Sequence, residues 1–327
     1  MKKNIAVVYG GNSSEFAVSV NSGRQVAANI DSTRYNVYEV LLMGNSWAVQ
    51  LPGNTTIEID KSDFSFVSPQ SEKVNLDAAF IVIHGTPGEN GLLQSYLTML
   101  DIPYTSSNAF VSTLTFNKYA TKCFLRDTDV KMAKDVYISK GDKIEPEELV
   151  RQLGLPMFIK PNASGSSFGV SKVKDVKEIK KALEIAFSES DAVLVEEYIS
   201  GRELQQGVFK AAQESIDLPV TEIIPENEFF DYEAKYMGKS QEITPADIPD
   251  ELAERLTRLS SLIYGRLGCK GIVRIDYILH NDEIYFLEIN TVPGMSEQSI
   301  VPQQLQIAGR SLPETFTLLL EDTLARR

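Results

Sequence analysis

Two apolar runs near the end of the sequence, GIVRIDYILH (271–280) and EIYFLEIN (283–290), flank a polar turn, and both are interrupted by polar residues at a spacing of two. Ile, Val, Tyr and Phe dominate them, so they read as paired strands. Side chains alternate across a strand, so Arg274 and Asp276 share one face, as do Glu288 and Asn290. With Asn281 to Glu283 as a three-residue loop, His280 pairs with Ile284 and Asp276 stands opposite Glu288. Opposed like charges repel, so a positive group is expected between them. Magnesium takes oxygen ligands, commonly one or two carboxylates completed by substrate phosphates. The alternative is a solvated sheet face on which Arg274 simply pairs with Asp276. Four such residues followed by Thr291-Val-Pro-Gly294 favour a metal–phosphate site.

A chain of 327 residues implies two or three domains with room for a buried core. The net charge of −13 speaks against a nucleic-acid partner, whose footprint is basic. An anionic ligand must therefore be held by local cations. Cys123 and Cys269 have neither metal spacing nor the density of a disulfide framework, which fits a reducing compartment. No apolar run approaches a membrane span, and the apolar stretch after Lys2 and Lys3 is too short for a signal peptide. The expected location is the cytoplasm.

In chain order, KNIAVVY, NVYEVLLM and DAAFIVIHG read as strands alternating with helices over 12–29 and from Glu89 to Leu100, with an irregular polar stretch over 44–75. This pattern predicts a doubly wound parallel sheet in residues 1–105, with ligand-bearing loops at the strand ends Gly10–Glu15 and His84–Gly91. Residues 106–200 predict a small α+β domain, including one helix over Phe110–Asp127 that carries Lys118. Residues 201–327 predict a further α+β domain with a polar stretch at about 225–248, the kind of long loop that often forms a lid.

Several clusters carry possible chemistry. The Ser/Gly-rich loop that follows Lys160 can turn N–H groups toward phosphate oxygens, or be an exposed hairpin loop. The strand edge from Val193 to Ile199 can offer backbone polar groups to an adenine ring. Glu203 can accept from ribose hydroxyls, whereas Glu197 reads better as a surface residue. Asn12-Ser-Ser-Glu15 reads as a capping box, which still leaves Glu15 an oxygen for a substrate ammonium. A lone histidine such as His84 is more often structural.

Gly10-Gly-Asn-Ser-Ser-Glu15, His84-Gly85 with Gly88-Glu-Asn-Gly91, Lys160-Pro161 with Gly165-Ser-Ser167, Tyr232-Glu-Ala-Lys-Tyr236, Gly271–Asp276 and Glu288–Met295 occur in the order found in D-alanine–D-alanine ligases. The sequence resembles that family, within the ATP-grasp carboxylate–amine ligases, over essentially its whole length. The resemblance implies an α/β ATP-grasp fold in which the central and C-terminal domains clasp ATP. It also implies phosphorylation of one D-alanine to an acyl phosphate, which the amine of a second D-alanine then attacks. By the same resemblance, Lys118, Lys160 and Lys235 contact phosphates, and Glu196, Glu197, Ile199 and Glu203 line the nucleotide site. Asp276, Glu288 and Asn290 hold two Mg²⁺ ions, with Mn²⁺ able to substitute. Arg274 and the Gly294 N–H stabilise the oxyanion, a role worth about 3 kcal/mol per donor. Glu15 binds the first amino group with help from His84; Ser166 and Tyr236 join Glu15 in a hydrogen-bonded bridge; Ser299 and Ile300 hold the second substrate. A lid over about 225–241 and a homodimer are further implications. Phe16, Ser164, Glu197 and Gln298 depart from residues common in the family. Tyr236 favours an amine over D-lactate as second substrate, and the intact Arg274 argues against a non-catalytic nucleotide-binding module.

Overall fold

The computed structural model describes residues 2–53, 55–165, 167–211, 214–225 and 240–326. The first sheet is built on β1 (Lys3–Gly10), which runs parallel to β2 (Tyr35–Met43) on one side and β7 (Ala78–Ile81) on the other. Its alternate residues serve two cores, as a central parallel strand requires. Ile5, Val7 and Tyr9 face α1 (Phe16–Asn29), while Ala6 and Val8 face α2 (Leu92–Met99). The parallel part is confined to these three strands. The 44–75 stretch, expected to be irregular, supplies antiparallel strands β3 (Ser46–Leu51) and β4 (Thr55–Glu58) and a small hairpin, β5 (Ser65–Val67) with β6 (Lys73–Asn75). Few of its residues are apolar, but Val49, Phe64 and Phe66 all enter the core.

The single helix expected over 110–127 is two, α3 (Ala109–Phe116) and α4 (Lys118–Leu125). Asn117 sits between them in an extended conformation, and its side chain accepts the Ala120 N–H to cap α4. An N-cap asparagine removes one orphan donor of the new helix, and the break places Lys118 at its first position. With β8 (Lys131–Met132), these helices join the C-terminal body: Val111, Leu125 and Val130 share a core with Leu204, Val273 and Tyr277. Residues 106–132, expected to belong to the central domain, therefore pack elsewhere. The central sheet proper contains β9 (Asp135–Ser139), β10 (Met157–Pro161), β11 (Ser171–Val173) and β12 (Ala192–Glu197), all antiparallel in the order β11-β10-β12-β9. Helices α5 (Pro146–Leu153) and α6 (Ile179–Glu189) cover it through Leu149, Ile179 and Leu183.

The C-terminal sheet comprises β13 (Arg202–Ala211), β14 (Glu214–Asp217), β15 (Thr221–Pro225), β16 (Ser240–Ile243), β17 (Val273–His280) and β18 (Glu283–Asn290), with β8 at its edge. Helix α7 (Asp250–Leu267) packs on it, and α8 (Ile300–Ile307) and α9 (Leu312–Leu324) follow. Helix α9 bridges this sheet and the first. Its Phe316, Leu319 and Leu320 lie in one core with Ile5, Val7 and Phe80 of the first sheet, and with Phe209 and Leu305. Among the described residues no helix is long and apolar enough to cross a membrane.

The β17–β18 hairpin reaches the expected pairing by an unexpected route. Its turn has two residues, Asn281 and Asp282, both with positive φ (48° and 62°), so His280 pairs with Glu283 and not with Ile284. Asn and Asp tolerate that conformation, and a two-residue turn of this hand matches strand twist. Carried on unbroken, this register would set Asp276 against Leu287. A shift between Asp276 and Tyr277 leaves Leu287 unpaired and brings Asp276 opposite Glu288, with Arg274 opposite Asn290. Such a bulge re-aims side chains at the cost of one ladder position.

Candidate active site

Two cavities meet at the bulged hairpin. The larger, about 670 Å³, lies among Glu15, His84, Arg274, Asn290, Gly294 and Ser299. The smaller, about 330 Å³, lies between the central and C-terminal sheets and is lined by Phe158, Lys160, Glu196, Ile199, Glu203 and Phe286. Lys118, Ser164, Gly165 and Glu288 line both. At this junction the Lys118 Nζ donates to the Ser164 carbonyl at 2.8 Å and stands 3.1 Å from the Glu288 carboxylate. The cap at Asn117 therefore delivers a cation to the point where the cavities touch.

Arg274 donates from Nε and Nη2 to the two oxygens of Asp276, both at 2.8 Å. The pairing foreseen as the bland alternative is thus present, but not on a solvated face: Asp276 is only 2% exposed. Asn290 Oδ1 accepts the Val292 N–H at 3.3 Å. Among the described residues no three His, Cys, Asp or Glu side chains cluster as a metal site. Two carboxylates and an amide, aligned on one face of adjacent strands, still fit Mg²⁺, which draws its remaining oxygens from phosphate and water.

In the smaller cavity the Glu196 carboxylate is buried between two lysines. Lys122 approaches one oxygen at 2.5 Å and Lys160 holds the other. Burial pushes the Glu196 pKa up, but the charges of Lys160 and Lys122 outweigh it and hold the group below its ordinary value. Glu197 accepts the Lys134 N–H at 2.8 Å, and its own N–H donates to the Lys134 carbonyl. The side chain of Glu197 is therefore occupied locally, while the residue also lines the smaller cavity. Gln205 Nε2 donates to Glu203 at 3.1 Å.

In the larger cavity the capping box is absent. Helix α1 begins at Phe16, and no side-chain bond caps it. Asn12 instead accepts the Gly44 N–H at 2.8 Å. The Glu15 carboxylate is buried beside Gly165, where a β-carbon would collide with it. His84 is committed to the protein at both ring nitrogens. Its Nδ1 is 2.8 Å from the Val292 carbonyl, which can only accept, so this nitrogen carries the proton. Nε2 then accepts from the Ser22 hydroxyl, whose oxygen takes the Met295 N–H. Burial lowers the His84 pKa, keeping the ring neutral. These bonds give His84, which lines the larger cavity with Glu15, a structural task as well, fastening the 291–295 turn to the first sheet. Gly294 in that turn lies against Ser299, the N-cap residue of α8, whose hydroxyl is 2.8 Å from that of Ser296. Ile300 packs on Ile223.

Ser166, Lys235, Tyr236 and most of the expected lid lie outside the described residues. Sequence reasoning missed Lys122 and Glu89. Lys122 follows Lys118 by four residues, hence on the same helix face, which was the available signal. Glu89 accepts the Gly85 N–H at 2.6 Å; burial, then repulsion from Glu15, raises its pKa to about 8.

Two family models match the chain, one described as D-ala D-ala ligase N-terminus over residues 4–107 and one as D-ala D-ala ligase C-terminus over 124–321. D-alanine–D-alanine ligases from Phocaeicola vulgatus and Parabacteroides distasonis are 47% and 46% identical to it, over 98% and 100% of this chain and 99% of each relative. Among solved structures, the D-Ala:D-Ser ligase VanG from Enterococcus faecalis has a TM-score of 0.87 at 29% identity, covering 98% of this chain and 99% of that one. A D-alanine–D-alanine ligase from Bacillus anthracis complexed with ATP has a TM-score of 0.80 at 29% identity, covering 99% and 98%. The ATP-grasp fold expected from the sequence is the fold of these neighbours.

Proposed function

Because this chain belongs to the D-alanine–D-alanine ligase family, we propose that it joins two D-alanine molecules with ATP, supplying D-alanyl-D-alanine for peptidoglycan. The observation that carries this reading is the meeting of two cavities at Lys118 and Glu288. Nucleotide occupies the smaller cavity, with Lys160 and Lys118 facing its phosphates and Glu203 facing the ribose. The first D-alanine occupies the larger one, its ammonium at Glu15. Its carboxylate oxygen attacks the γ-phosphorus, the bond to the ADP oxygen breaks, and an acyl phosphate forms. The amine of the second D-alanine, seated by Ser299 and Ile300, then attacks the carbonyl carbon, its nitrogen gives up a proton, and phosphate leaves with the C–O bonding pair and takes that proton up. Phosphoryl transfer depends chiefly on positioning and charge neutralisation, which these lysines supply.

Asp276, Glu288 and Asn290 would hold two Mg²⁺ ions, or Mn²⁺, whose chemistry is to neutralise and align phosphate oxygens. Asp276 fixes the plane of the Arg274 guanidinium through two parallel hydrogen bonds. So held, Arg274 and the Gly294 N–H face the carbonyl oxygen as it gains charge. His84 keeps that N–H in place by bonding the turn on either side of it, at Val292 and, through Ser22, at Met295.

Mass spectrometry of the product from purified protein with ATP, Mg²⁺ and D-alanine is expected to show the dipeptide, with L-alanine inert and D-lactate poorly used. A product dominated by the ester of D-lactate would replace this reading with a depsipeptide ligase. We place the enzyme in the cytoplasm as a homodimer. Leu92, Met99 and Phe110 stand exposed on α2 and α3, an apolar surface suited to a second copy. Light scattering that gives the monomer mass at micromolar concentration would remove the dimer.

A further inference from the structure

We propose that Lys122 is a positioning residue for the nucleotide: by sharing Glu196 with Lys160, it sets how much of the Lys160 charge faces the phosphates. Lys122 lies on α4 and is 3% exposed. Its ammonium reaches Glu196 Oε1 at 2.5 Å, Asp135 Oδ1 at 3.0 Å and the Ala133 carbonyl at 2.8 Å. All three donors of a lysine are thereby used on the protein, and Lys122 itself does not line the cavity. Glu196 gives its second oxygen to Lys160, and both of those residues do line it. The result is a row of alternating charges, Asp135, Lys122, Glu196 and Lys160, that begins inside the protein and ends in a cation at the nucleotide.

In that row each inner member divides its charge between two neighbours. Lys122 satisfies half of Glu196, so Lys160 is only partly neutralised and keeps attraction for a polyanion. Without Lys122, Glu196 has Lys160 as its remaining partner, and Asp135 adds an uncompensated negative charge behind it. Both changes oppose phosphate binding, and in a dry interior charges act strongly. The row also crosses a domain boundary, since α4 belongs to the C-terminal body and the other three residues to the central sheet. One face of α4 thus serves the nucleotide twice, through Lys118 at the cavity junction and through Lys122 behind Lys160.

The inference rests on the reading of Lys160 as a phosphate contact, and the experiment tests the two separately. ADP binding to the whole protein with Mg²⁺ is measured by calorimetric titration in wild type, Lys122→Met, Lys160→Met and the double variant. Lys122→Met is expected to weaken ADP about tenfold, the scale that accompanies loss of a close charge contact. In the Lys160→Met background the same change should cost clearly less than in wild type, because the part that acts through Lys160 is gone and only the uncompensated charge behind it remains. Asp135→Asn should act with opposite sign and tighten ADP, since Glu196 is then the one carboxylate that Lys122 serves. A structural role confined to domain docking would weaken ADP in both backgrounds equally and would not let Asp135→Asn tighten it; either result overturns the inference. If Lys160→Met leaves ADP affinity unchanged, the phosphate reading of Lys160 falls first. If Lys122→Met does not fold, Asp135→Asn alone decides, with unchanged or weaker binding counting against the proposal.

Discussion

Glu288→Gln is expected to remove most ligase turnover while the fold and thermal midpoint stay close to those of the parent protein. The substitution preserves shape and removes one negative charge at the place where both cavities meet. Two consequences follow from the geometry. The candidate metal set of Asp276, Glu288 and Asn290 loses one of its two carboxylates. Lys118, 3.1 Å from Glu288, loses its ion-pair partner and keeps the Ser164 carbonyl. Outer partners of metal ligands typically cost 10- to 100-fold when removed, and a ligand should cost no less, so a loss of about 100-fold or more is expected. The check is the initial rate of ADP formation with D-alanine across a Mg²⁺ titration. An unchanged rate at limiting Mg²⁺ takes Glu288 out of the metal set.

Arg274→Lys should have the next largest effect although it conserves charge. The guanidinium makes two parallel hydrogen bonds to Asp276, and in the proposed mechanism that fork orients the plane from which it would meet the oxyanion. An ammonium on a flexible stem cannot reproduce a planar fork. Loss of an oriented oxyanion donor commonly costs about 10²–10³ in kcat. Since the interaction forms as charge develops, kcat should fall while the KM for ATP changes little. A variant that raises the KM for ATP and keeps the wild-type kcat would place Arg274 in nucleotide binding instead.

The β17–β18 hairpin shows how far side-chain alternation carries an argument. Asp276 opposite Glu288 was legible from the polar interruptions, and the structure has that pair. The turn was not legible. Two residues and three residues are both reasonable for Asn-Asp-Glu, and the difference reverses every side chain of the partner strand. The bulge at Leu287 cancels the shorter turn. Nothing local marks Leu287, because a bulge answers to the whole sheet and to what the next side chain must face. Helix α3–α4 was misread as one piece because its apolar spacing runs through Asn117, whose capping role depends on the chain leaving helical geometry there. The 44–75 strands were missed because only one face of them is covered, so most of their residues are polar. Lys122 was overlooked for the opposite reason. A lysine is ordinarily exposed, and its burial is decided by Asp135 and Glu196 arriving from other strands.

The core that joins Phe316, Leu319 and Leu320 of α9 to Ile5, Val7 and Phe80 of the first sheet has a bearing on how the chain is made. Phe80 and Phe316 meet edge to face with ring centroids 5.2 Å apart. Domains usually fold in order of synthesis, the N-terminal one first. Here α1 covers part of that face as the first sheet emerges from the ribosome, and the part around Phe80 stays open until α9 has been translated, long after the strands themselves. Through that interval its exposed apolar strands are open to association, and this face is where a nascent-chain chaperone has most to protect.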